Sequence, residues 1–482
     1  MPGAGLEPAR PFGQWILSPS RLPFRHPGQW RTSIYRCPQG SGPAWRQARD
    51  ATKRKTVGSD RDDSHGYGHP SQPGVLMESS HDPASAWSSL GDRTAISLDA
   101  IEIRWVELQL RNPVRTSRGV HDRRPVILLR LIGTDPNGAV EGWGECAALA
   151  DTTYDAEDAT TSFATLEQIL CPALLSVTGS AGRMPSLGEF AALRTDVAAT
   201  SLAGAALEMA VADTHLRSEG TSFAELCSVG SDPVPVGAVV GECRDATELV
   251  NRVDRLVDGG YQRIKMKIGR GSDVEPIAAV RRAHPGLFLQ ADANEDYTES
   301  DIDHLAGFDR FELACLEQPF RRDDLSGHAH LAQRMATPIC LDESLHSVDM
   351  VVSALEMEAC SVVCLKPARL GGIGPALEVI RVCSAASVPL WIGGMFETGF
   401  ARAVNVVVGA VSGTLWPGDL SPAHSYLRED LTARTAQVAG PLQVVPSRTP
   451  GMGPALDQAM VDRHTVKMVR LGSKPGSHFG DG

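Results

Sequence analysis

Five ionisable residues recur at an almost constant interval in the second half of the chain. Lys267, Asp292, Glu317, Asp342 and Lys366 follow one another at spacings of 25, 25, 25 and 24 residues. Each of them ends a short apolar run, which is typical of a buried strand. An interval of about 25 residues accommodates one strand, one helix and two loops, which is the repeat of a (β/α)8-type barrel. The spacing therefore predicts an α/β fold in which successive strands bring these five charges to one mouth.

The segments between these charges have the apolar spacing of amphipathic helices. The helices are expected at residues 274–283, 323–335, 347–357 and 376–385. Further strands are expected at residues 234–240, 389–392 and 414–416, as the first, seventh and eighth of the barrel. Strands that alternate with helices of this length favour a parallel sheet.

Three of the five charges are carboxylates, which would repel one another at a shared mouth without a cation. Asp292, Glu317 and Asp342 supply hard oxygen ligands, which suit Mg2+ or Mn2+ better than zinc. Two alternatives stay open from the residues alone: ordinary solvated charges at strand ends, or a carboxylate cluster that the lysines neutralise without a metal. Five charges in one register favour the metal site because buried charges need a shared partner.

The lysines on either side of the carboxylates have the chemistry of bases. Lys265 lies two residues before Lys267, so both side chains would leave the same face of a strand. A positive neighbour and partial desolvation lower the pKa of a lysine, which can then accept a proton near neutral pH. We therefore expect lysines that act as bases here, with Lys265 helping to neutralise a bound anion.

Charge and composition exclude several classes of partner. The chain of 482 residues carries 46 basic and 58 acidic residues, and this net charge of −12 argues against nucleic acid. No apolar run approaches the length that spans a bilayer, so no membrane partner is expected. The ten cysteines show no regular spacing, and Cys315, Cys340 and Cys364 fall inside predicted strands. This usage suits a reducing cytoplasm better than a disulfide framework.

The chain divides into four segments that differ in composition and in the pattern of their apolar residues. Residues 1–95 are rich in Pro, Gly, Ser, Arg and His, which predicts a disordered extension; a misassigned start, with translation from Met77, is a sharper hypothesis. Residues 96–230 have the pattern of three antiparallel strands followed by helices, an α+β domain packed against the barrel. Residues 231–425 hold the barrel repeats. Residues 426–482 have a weaker pattern and are expected to return to the α+β domain.

Short motifs surround the five charges. They read Lys265-Met266-Lys267, Asp292-Ala293-Asn294, Glu317-Gln318-Pro319, Asp342-Glu343-Ser344 and Lys366-Pro367. Their pattern and spacing resemble the enolase superfamily, and within it the muconate-lactonising subgroup. Residues 393–399 (Gly-Gly-Met-Phe-Glu-Thr-Gly) and 416–419 (Trp-Pro-Gly-Asp) resemble the branch that contains o-succinylbenzoate synthases and N-succinylamino acid racemases.

The resemblance implies a (β/α)8-type barrel with an α+β capping domain formed by the N-terminal part and the C-terminal segment. It implies that Asp292, Glu317 and Asp342 bind Mg2+, with Mn2+ as the other candidate. Lys267 would remove the proton α to a substrate carboxylate, and Lys366 would lie on the opposite side of the substrate.

Further site residues follow from the same resemblance. Asn294 and Glu343 would orient a lysine or the metal from beside the ligands. The segment after the seventh strand would place Gly394, Met395 and Glu397 near the substrate.

Three residues have less specific patterns. Arg369 follows Lys366 in a pattern that resembles the racemising members, where its guanidinium would lower the pKa of Lys366. A salt bridge at a loop edge explains Arg369 equally well. Arg115 and Tyr154 fall in or near segments that resemble the loops over the active site, and ordinary surface roles are the favoured interpretation of both.

The activity that the resemblance implies is that of an Mg-dependent lyase, an o-succinylbenzoate synthase that dehydrates a succinyl-cyclohexadiene carboxylate in menaquinone synthesis. Racemisation of N-succinylamino acids is a second candidate activity of the same site. The alternatives are a dipeptide epimerase or a cycloisomerase of the superfamily, and a non-catalytic binding protein on the same fold. We expect a small-molecule carboxylate as partner, a cytoplasmic location and a homo-oligomer.

Overall fold

The computed structural model describes residues 82–472, except for 117–118, 195–200, 242, 415, 433–437, 440–441 and 444–447. The predicted extension lies outside the described residues up to residue 81, and so does Met77. The boundary of that extension at residue 95 is corrected, because the chain is already folded before it. Helix α1, Pro83–Ser88, is capped by Asp82, and Trp87 and Leu90 are buried. Two large apolar side chains supply here the burial that offsets chain entropy.

A four-stranded antiparallel sheet forms the part of the structure that precedes the barrel. Strands β1 Ser97–Thr116, β2 Gly119–Asp135 and β3 Gly138–Cys146 pair in sequence order. The C-terminal strand β14, Thr465–Gly472, pairs with the other edge of β1. The expected return of the C-terminal segment to this capping domain is confirmed.

Helices follow the first three strands, and the longest of them packs against the antiparallel sheet. They are α2 Ala159–Thr165, which a π-helical turn Leu166–Leu170 joins to α3 Cys171–Ala181, then α4 Leu187–Arg194, α5 Ser201–Glu219 and α6 Phe223–Leu226. Helix α5 approaches β3 very closely. A Cβ added at Gly144 would lie 2.0 Å from the carbonyl oxygen of Ala206. Glycine in β3 therefore permits the close contact of helix and strand.

The expected first strand at residues 234–240 is interrupted. Val234–Pro235 form β4, which pairs with a strand near the C-terminus, and Ala238–Val240 form β5, the first strand of the barrel. Gly237 separates the two, and a Cβ there would lie 2.2 Å from Arg263 Nε. A buried arginine inside the barrel thus requires glycine at this break.

A seven-stranded parallel sheet follows the predicted repeats, with its strands in sequence order. After β5 they are β6 Arg263–Lys267, β7 Phe288–Asp292, β8 Cys315–Glu317, β9 Ile339–Leu341, β10 Val362–Leu365 and β11 Leu390–Ile392. Most of their residues are buried, as expected for strands covered on both faces. The predicted α/β barrel architecture is confirmed.

The eighth position of the barrel differs from the prediction. Residues 414 and 416 are not in a strand, and 415 lies outside the described residues. The chain closes the ring slightly later, where Gly418 forms a parallel bridge with Val236 and Asp419 N donates to Ile392 O at 2.8 Å. An added Cβ at Gly418 would lie 2.8 Å from Ile392 O. This close backbone approach explains why an irregular segment, and not a β-branched strand, fills the gap.

Helices connect the barrel strands in the order that the sequence predicts. They are α7 Ala246–Asp258, α8 Val274–Ala283, α9 Ile302–Ala306, α10 Leu325–Arg334, α11 Val348–Glu356, α12 Ile373–Ala386 and α13 Gly399–Ser412. Short 3-10 turns occur at Glu299–Asp301, Gly307–Phe311 and Ala423–Ser425, and the C-terminal part adds β12 Val438–Ala439, β13 Leu442–Gln443 and α14 Gln458–His464. In the described part of the chain, no helix combines the length and apolarity needed to cross a bilayer.

Helix α10 buries a histidine in a defined neutral form. His328 Nε2 accepts from Phe320 N at 3.2 Å, so Nδ1 carries the proton and donates to Asp324 O at 2.6 Å. Burial lowers the pKa of His328 to about 4. Burial has the same effect on His215 in helix α5.

We expect the free energy of unfolding to decrease as the pH falls from about 6.5 to about 4. In this window the unfolded chain protonates both histidines, whereas the folded chain keeps His328 and His215 neutral. Urea unfolding at several pH values within these limits measures the slope. An NMR titration of His328 with a midpoint near 6.5 would contradict the assignment.

Candidate active site

The C-terminal ends of strands β6 to β10 meet at one mouth of the barrel, and the five recurring charges lie there. The register places Lys267 beside Asp292, and Asp292 beside Glu317. Asp342 follows the last residue of β9, and Lys366 follows the last residue of β10. The three acids and Lys366 are buried, whereas 38% of the Lys267 side chain is exposed. The structure therefore brings all five residues together.

The carboxylates of Asp292, Glu317 and Asp342 lie at the ends of successive strands, and we call them the carboxylate row. The two outer lysines contact opposite ends of this row. Lys267 Nζ donates to Asp292 Oδ2 at 2.7 Å and to Asn294 Oδ1 at 2.5 Å. Lys366 Nζ donates to Asp342 Oδ2 at 2.7 Å. A carboxylic acid that docks on this row would have one amine on each side.

Lys265 is buried among the carboxylates. Its Nζ lies 3.3 Å from Asp292 Oδ2, 3.2 Å from Glu317 Oε2 and 2.7 Å from Asp419 Oδ2. Burial favours the neutral amine, but Asp419, Glu317 and Asp292 outweigh it and raise the pKa of Lys265. Lys265 therefore stays charged and neutralises anions, which agrees with its expected supporting role.

Asp419, the last residue of the Trp-Pro-Gly-Asp motif, also belongs to the site. Its carboxylate contacts Lys265 and the buried guanidinium of Arg263. Burial opposes ionisation of Asp419, but these two cations prevail and lower its pKa. Arg263 Nη1 in turn donates to Gln290 Oε1 at 2.6 Å, and Gln290 donates to Glu317. The sequence feature that could have identified Asp419 is its position as an acidic residue on the segment that closes the barrel.

Asp342 and Glu317 differ in how their charge is balanced. Burial opposes ionisation of Asp342, but Arg369 and Lys366 outweigh it and hold its pKa well below the usual range. Burial and repulsion from Asp292 raise the pKa of Glu317, although Lys265 opposes them. Glu317 therefore has less positive charge beside it than Asp342 has.

The donor groups at the mouth fit a divalent cation that prefers oxygen. Glu317, Asp342 and Cys364 each offer one ligand atom within 4.8 Å of the others. Asp292 is the expected third ligand, and its register position beside Glu317 puts a further carboxylate at this point. Among the described residues, Glu343 Oε2 is a buried oxygen without a hydrogen-bond partner. Several carboxylates with one thiol suit Mg2+ or Mn2+ better than a soft metal.

Asn294 and Glu343 link the first lysine to the carboxylate row. Asn294 accepts from Lys267 Nζ through Oδ1 and donates through Nδ2 to Glu343 Oε1 at 2.9 Å. Burial, together with Asp342, raises the pKa of Glu343 to about 7. The expected place of both residues beside the ligands agrees with these contacts.

Tyr154 corrects the expectation of a surface role. Its hydroxyl donates to Asp342 and accepts from Lys366 Nζ. Lys366 Nζ lies 4.4 Å and the Arg369 guanidinium carbon 4.7 Å from the centre of the Tyr154 ring. Burial and the charge of Asp342 raise its pKa well above the usual range, so the hydroxyl keeps its proton. The side chain of Arg115 lies outside the described residues, so its expected role stays a prediction.

Arg369 is buried against the carboxylate row and is not at a loop edge. Its Nη1 donates to Asp342 Oδ1 at 2.5 Å. Burial and Arg369 lower the pKa of Lys366, as the resemblance implied for Arg369, but Asp342 outweighs them and raises it. Lys366 is therefore protonated while Asp342 carries its full charge.

The segment after β11 supports the mouth more than it lines it. A Cβ at Gly393 would lie 2.5 Å from Lys366 Cε, and a Cβ at Gly394 would lie 2.6 Å from Arg402 Nη1. Met395 is buried, and Glu397 forms a buried ion pair with Arg402 at 2.7 Å. Glu397 also accepts from Asn405 Nδ2 at 2.9 Å. The carboxylate of Glu397 is thus held by helix α13, and its predicted contact with substrate stays a prediction.

The fold and these residues define a class of enzyme: an α/β barrel with a capping domain and a carboxylate–lysine site at the mouth. Sequence models of two families match the chain, the "Mandelate racemase / muconate lactonizing enzyme, N-terminal domain" over residues 100–228 and the "Enolase C-terminal domain-like" family over residues 248–460. The chain belongs to the enolase superfamily.

Characterised relatives and solved structures cover most of the chain. The N-succinylamino acid racemase of an Amycolatopsis species is 40% identical, over 78% of this chain and 100% of its own length. The o-succinylbenzoate synthase of Geobacillus stearothermophilus is 34% identical, over 77% and 96%. A crystal structure of an enolase superfamily member from Listeria innocua has a TM-score of 0.74 and 29% identity, over 79% of this chain and 100% of that one.

We expect Tyr154→Phe to reduce kcat about tenfold or more, because a hydrogen bond to buried charged groups contributes about 1.5–3 kcal/mol. Tyr297→Phe is the matched control, since it removes a buried hydroxyl that donates to Asp273 Oδ2 at 2.7 Å. Steady-state kinetics with a synthase substrate or an N-succinylamino acid measure kcat for both variants, and a thermal melt measures their stability. Equal kcat values in the two variants would contradict the position of Tyr154 in the site.

Proposed function

We propose that the protein is an o-succinylbenzoate synthase that dehydrates a succinyl-cyclohexadiene carboxylate, and that the same site racemises N-succinylamino acids. The observation that carries the proposal is the placement of Lys267 and Lys366 at opposite ends of the carboxylate row. Curated relatives with both names, at 33–40% identity, support it.

The reaction begins with removal of a weakly acidic proton α to a carboxylate. A divalent cation held by Asp292, Glu317 and Asp342 would stabilise the negative charge that develops on the substrate carboxylate. Lys267 Nζ, the more exposed amine, takes the proton, and Lys265 adds a fixed positive charge nearby. In the synthase reaction the carbon–oxygen bond then breaks, and the hydroxide leaves as water with the proton from Lys267. The new double bond completes the aromatic ring.

Racemisation uses the same proton abstraction but needs both amines. One lysine removes the α-proton, and the other returns a proton to the opposite face of the planar intermediate. Lys366, Tyr154 and Arg369 form a compact group on the far side of the row, where such a second base is required. The relative at 40% identity carries a racemase name, which favours this second activity.

We propose Mg2+ as the natural cation, with Mn2+ as a substitute, because the donor set is rich in carboxylate oxygen. We propose a cytoplasmic protein, since the nine described cysteines are free thiols, eight of them buried. We also propose a homo-oligomer. Its support is the outer strand β14, where Val466 and Met468 are 61% and 51% exposed.

The alternatives have less support. Muconate cycloisomerases are similar in fold at 22–24% identity, which bears on the fold alone. Dipeptide epimerases commonly carry an acidic motif after the seventh strand, where this chain has Gly393-Gly394-Met395. A binding protein without activity has no need for the five charged groups that meet at the mouth.

Lysine variants test the reaction. Lys267→Ala should abolish dehydration and racemisation, because both begin with the same proton transfer, and loss of a general base reduces rates by about 100- to 10,000-fold. Lys366→Arg should eliminate racemisation and keep part of the dehydration. Assays with both substrates, and α-proton exchange in D2O, measure this. An equal loss of both reactions in Lys366→Arg would refute the role given to Lys366.

A carboxylate variant tests the cation. Glu317→Gln should weaken Mg2+ binding about tenfold or more in calorimetry, because ligand charge sets the affinity of oxygen sites. Glu145→Gln is the control, since Glu145 is a buried carboxylate that accepts from Thr398 N at 2.8 Å, at a different place. Unchanged Mg2+ binding in Glu317→Gln, or absence of binding in the unmodified protein, would contradict the metal site.

A further inference from the structure

Glu208 is a buried carboxylate of the capping domain that binds the start of a barrel helix. It lies in helix α5 and is 3% exposed. Its Oε2 accepts from Ile373 N at 2.7 Å, and its Oε1 accepts from Gly374 N at 3.2 Å and from Trp87 Nε1 at 3.3 Å. The first backbone N–H groups of helix α12 therefore have a partner from another domain.

The backbone of the barrel is shaped to receive this carboxylate. Gly372, the residue before helix α12, has a φ of 137° and supplies no side-chain cap. A Cβ at Gly372 would lie 1.5 Å from Glu208 Oε2, and a Cβ at Gly374 would lie 3.1 Å from Oε1. Glycine is required at residue 372 both by conformation and by space. The carboxylate of Glu208 takes the role that a local Ser or Asp has in other helices of the barrel.

A short segment of the chain connects Lys366 to the helix start that Glu208 binds. Six residues separate Lys366 from Ile373, and their backbone is tightly folded. Leu370 N donates to Lys366 O at 3.2 Å, and Gly372 N donates to Pro367 O at 2.9 Å. The segment also contains Arg369, which is bound to Asp342. A displacement at the start of helix α12 is therefore transmitted to the position of the second amine.

Among the described residues, Lys267 has no corresponding connection to the capping domain through its own helix. Strand β6 leads to helix α8, and Asp273 from the same segment accepts from Val274 N at 2.6 Å. Among the contacts described for this helix start, the cap is thus local. The two lysines therefore differ in what positions them. Within the part of the chain that the structure describes, barrel groups hold Lys267, whereas Lys366 is held by the barrel, by Tyr154 at its amine and by Glu208 through the start of helix α12.

We infer that Glu208 is a positioning residue for Lys366, through which the capping domain controls proton transfer on one face of the substrate. The inference rests on the proposed two-lysine racemisation. A misplacement of about 1 Å reduces a rate by about 100-fold. Loss of Glu208 should therefore slow proton transfer by Lys366 selectively and leave proton transfer by Lys267 nearly unchanged.

The test measures α-proton exchange in D2O separately for the D and L forms of one N-succinylamino acid. Lys366→Ala first identifies the enantiomer that depends on Lys366. Glu208→Gln keeps the shape of the side chain but loses the charge at the helix start. It should reduce exchange of that enantiomer about tenfold or more, and exchange of the other by less than about threefold.

Asp213→Asn is the matched control, because Asp213 is a fully buried carboxylate on the same helix. It accepts from Trp143 N at 2.8 Å and from Met452 N at 2.6 Å, away from helix α12. It should affect both enantiomers equally, whatever its cost in stability. If Glu208→Gln does not fold, Trp87→Phe is the second variant. It removes the indole N–H that donates to Glu208, together with part of a buried ring, and should give the same preference for one enantiomer with a smaller reduction in exchange.

The outcomes separate the inference from the proposed function. Equal loss of exchange for both enantiomers in Glu208→Gln or Trp87→Phe overturns the positioning role, while exchange in the unmodified protein still supports the enzyme. Exchange of neither enantiomer in the unmodified protein, together with no dehydration, overturns the proposed function itself. Dehydration without exchange of either enantiomer overturns the two-lysine racemisation and the inference with it.

Discussion

The charge balance at the barrel mouth is the constraint on which the rest of the structure depends. Buried carboxylates on neighbouring strands repel one another, and each needs a cation in contact. Among the described residues, Asp342 has two such cations, Lys366 and Arg369, whereas Glu317 has one, Lys265, and the pKa of Glu317 is raised. The site therefore has room for one more positive charge. A divalent cation that took up the charge of Asp342 would also remove the main cause that keeps Lys366 protonated.

The barrel and its five charges could be predicted because both follow from local rules. A strand, a helix and two loops need about 25 residues, and parallel strands end at the same side of a sheet. Helix α8 begins and ends at the predicted residues, 274 and 283, since its apolar period and the Asp273 cap are local signals. The eighth strand was misplaced because its position is filled by backbone contacts of Gly418, which leave no side-chain period to read.

The contacts that complete the site could not be predicted from local pattern. Tyr154 reaches Asp342 across 188 residues, and Glu208 reaches Ile373 across 165. Tyr154 lies near a segment that resembles a loop over the active site, and Glu208 lies among small apolar residues of helix α5. Neither local pattern indicates the partner, so only the packing of the two domains reveals these contacts. Arg124 belongs to the same group, because this buried capping-domain residue donates to Met395 O and Phe396 O. The domain interface thus fixes the segments after three barrel strands, β9, β10 and β11.

These interface contacts fall unevenly on the two lysines, and the asymmetry bears on how one site serves two reactions. Dehydration needs one amine that acts twice, and Lys267 is the more exposed of the two. In the described part of the chain, its hydrogen-bond partners Asp292 and Asn294 both belong to the barrel. Racemisation needs a second amine at a matched distance, and Lys366 is buried beneath Tyr154 and joined to the helix that Glu208 binds. Changes in the capping domain would therefore alter racemisation while the barrel, with its carboxylates and Lys267, keeps the capacity for dehydration.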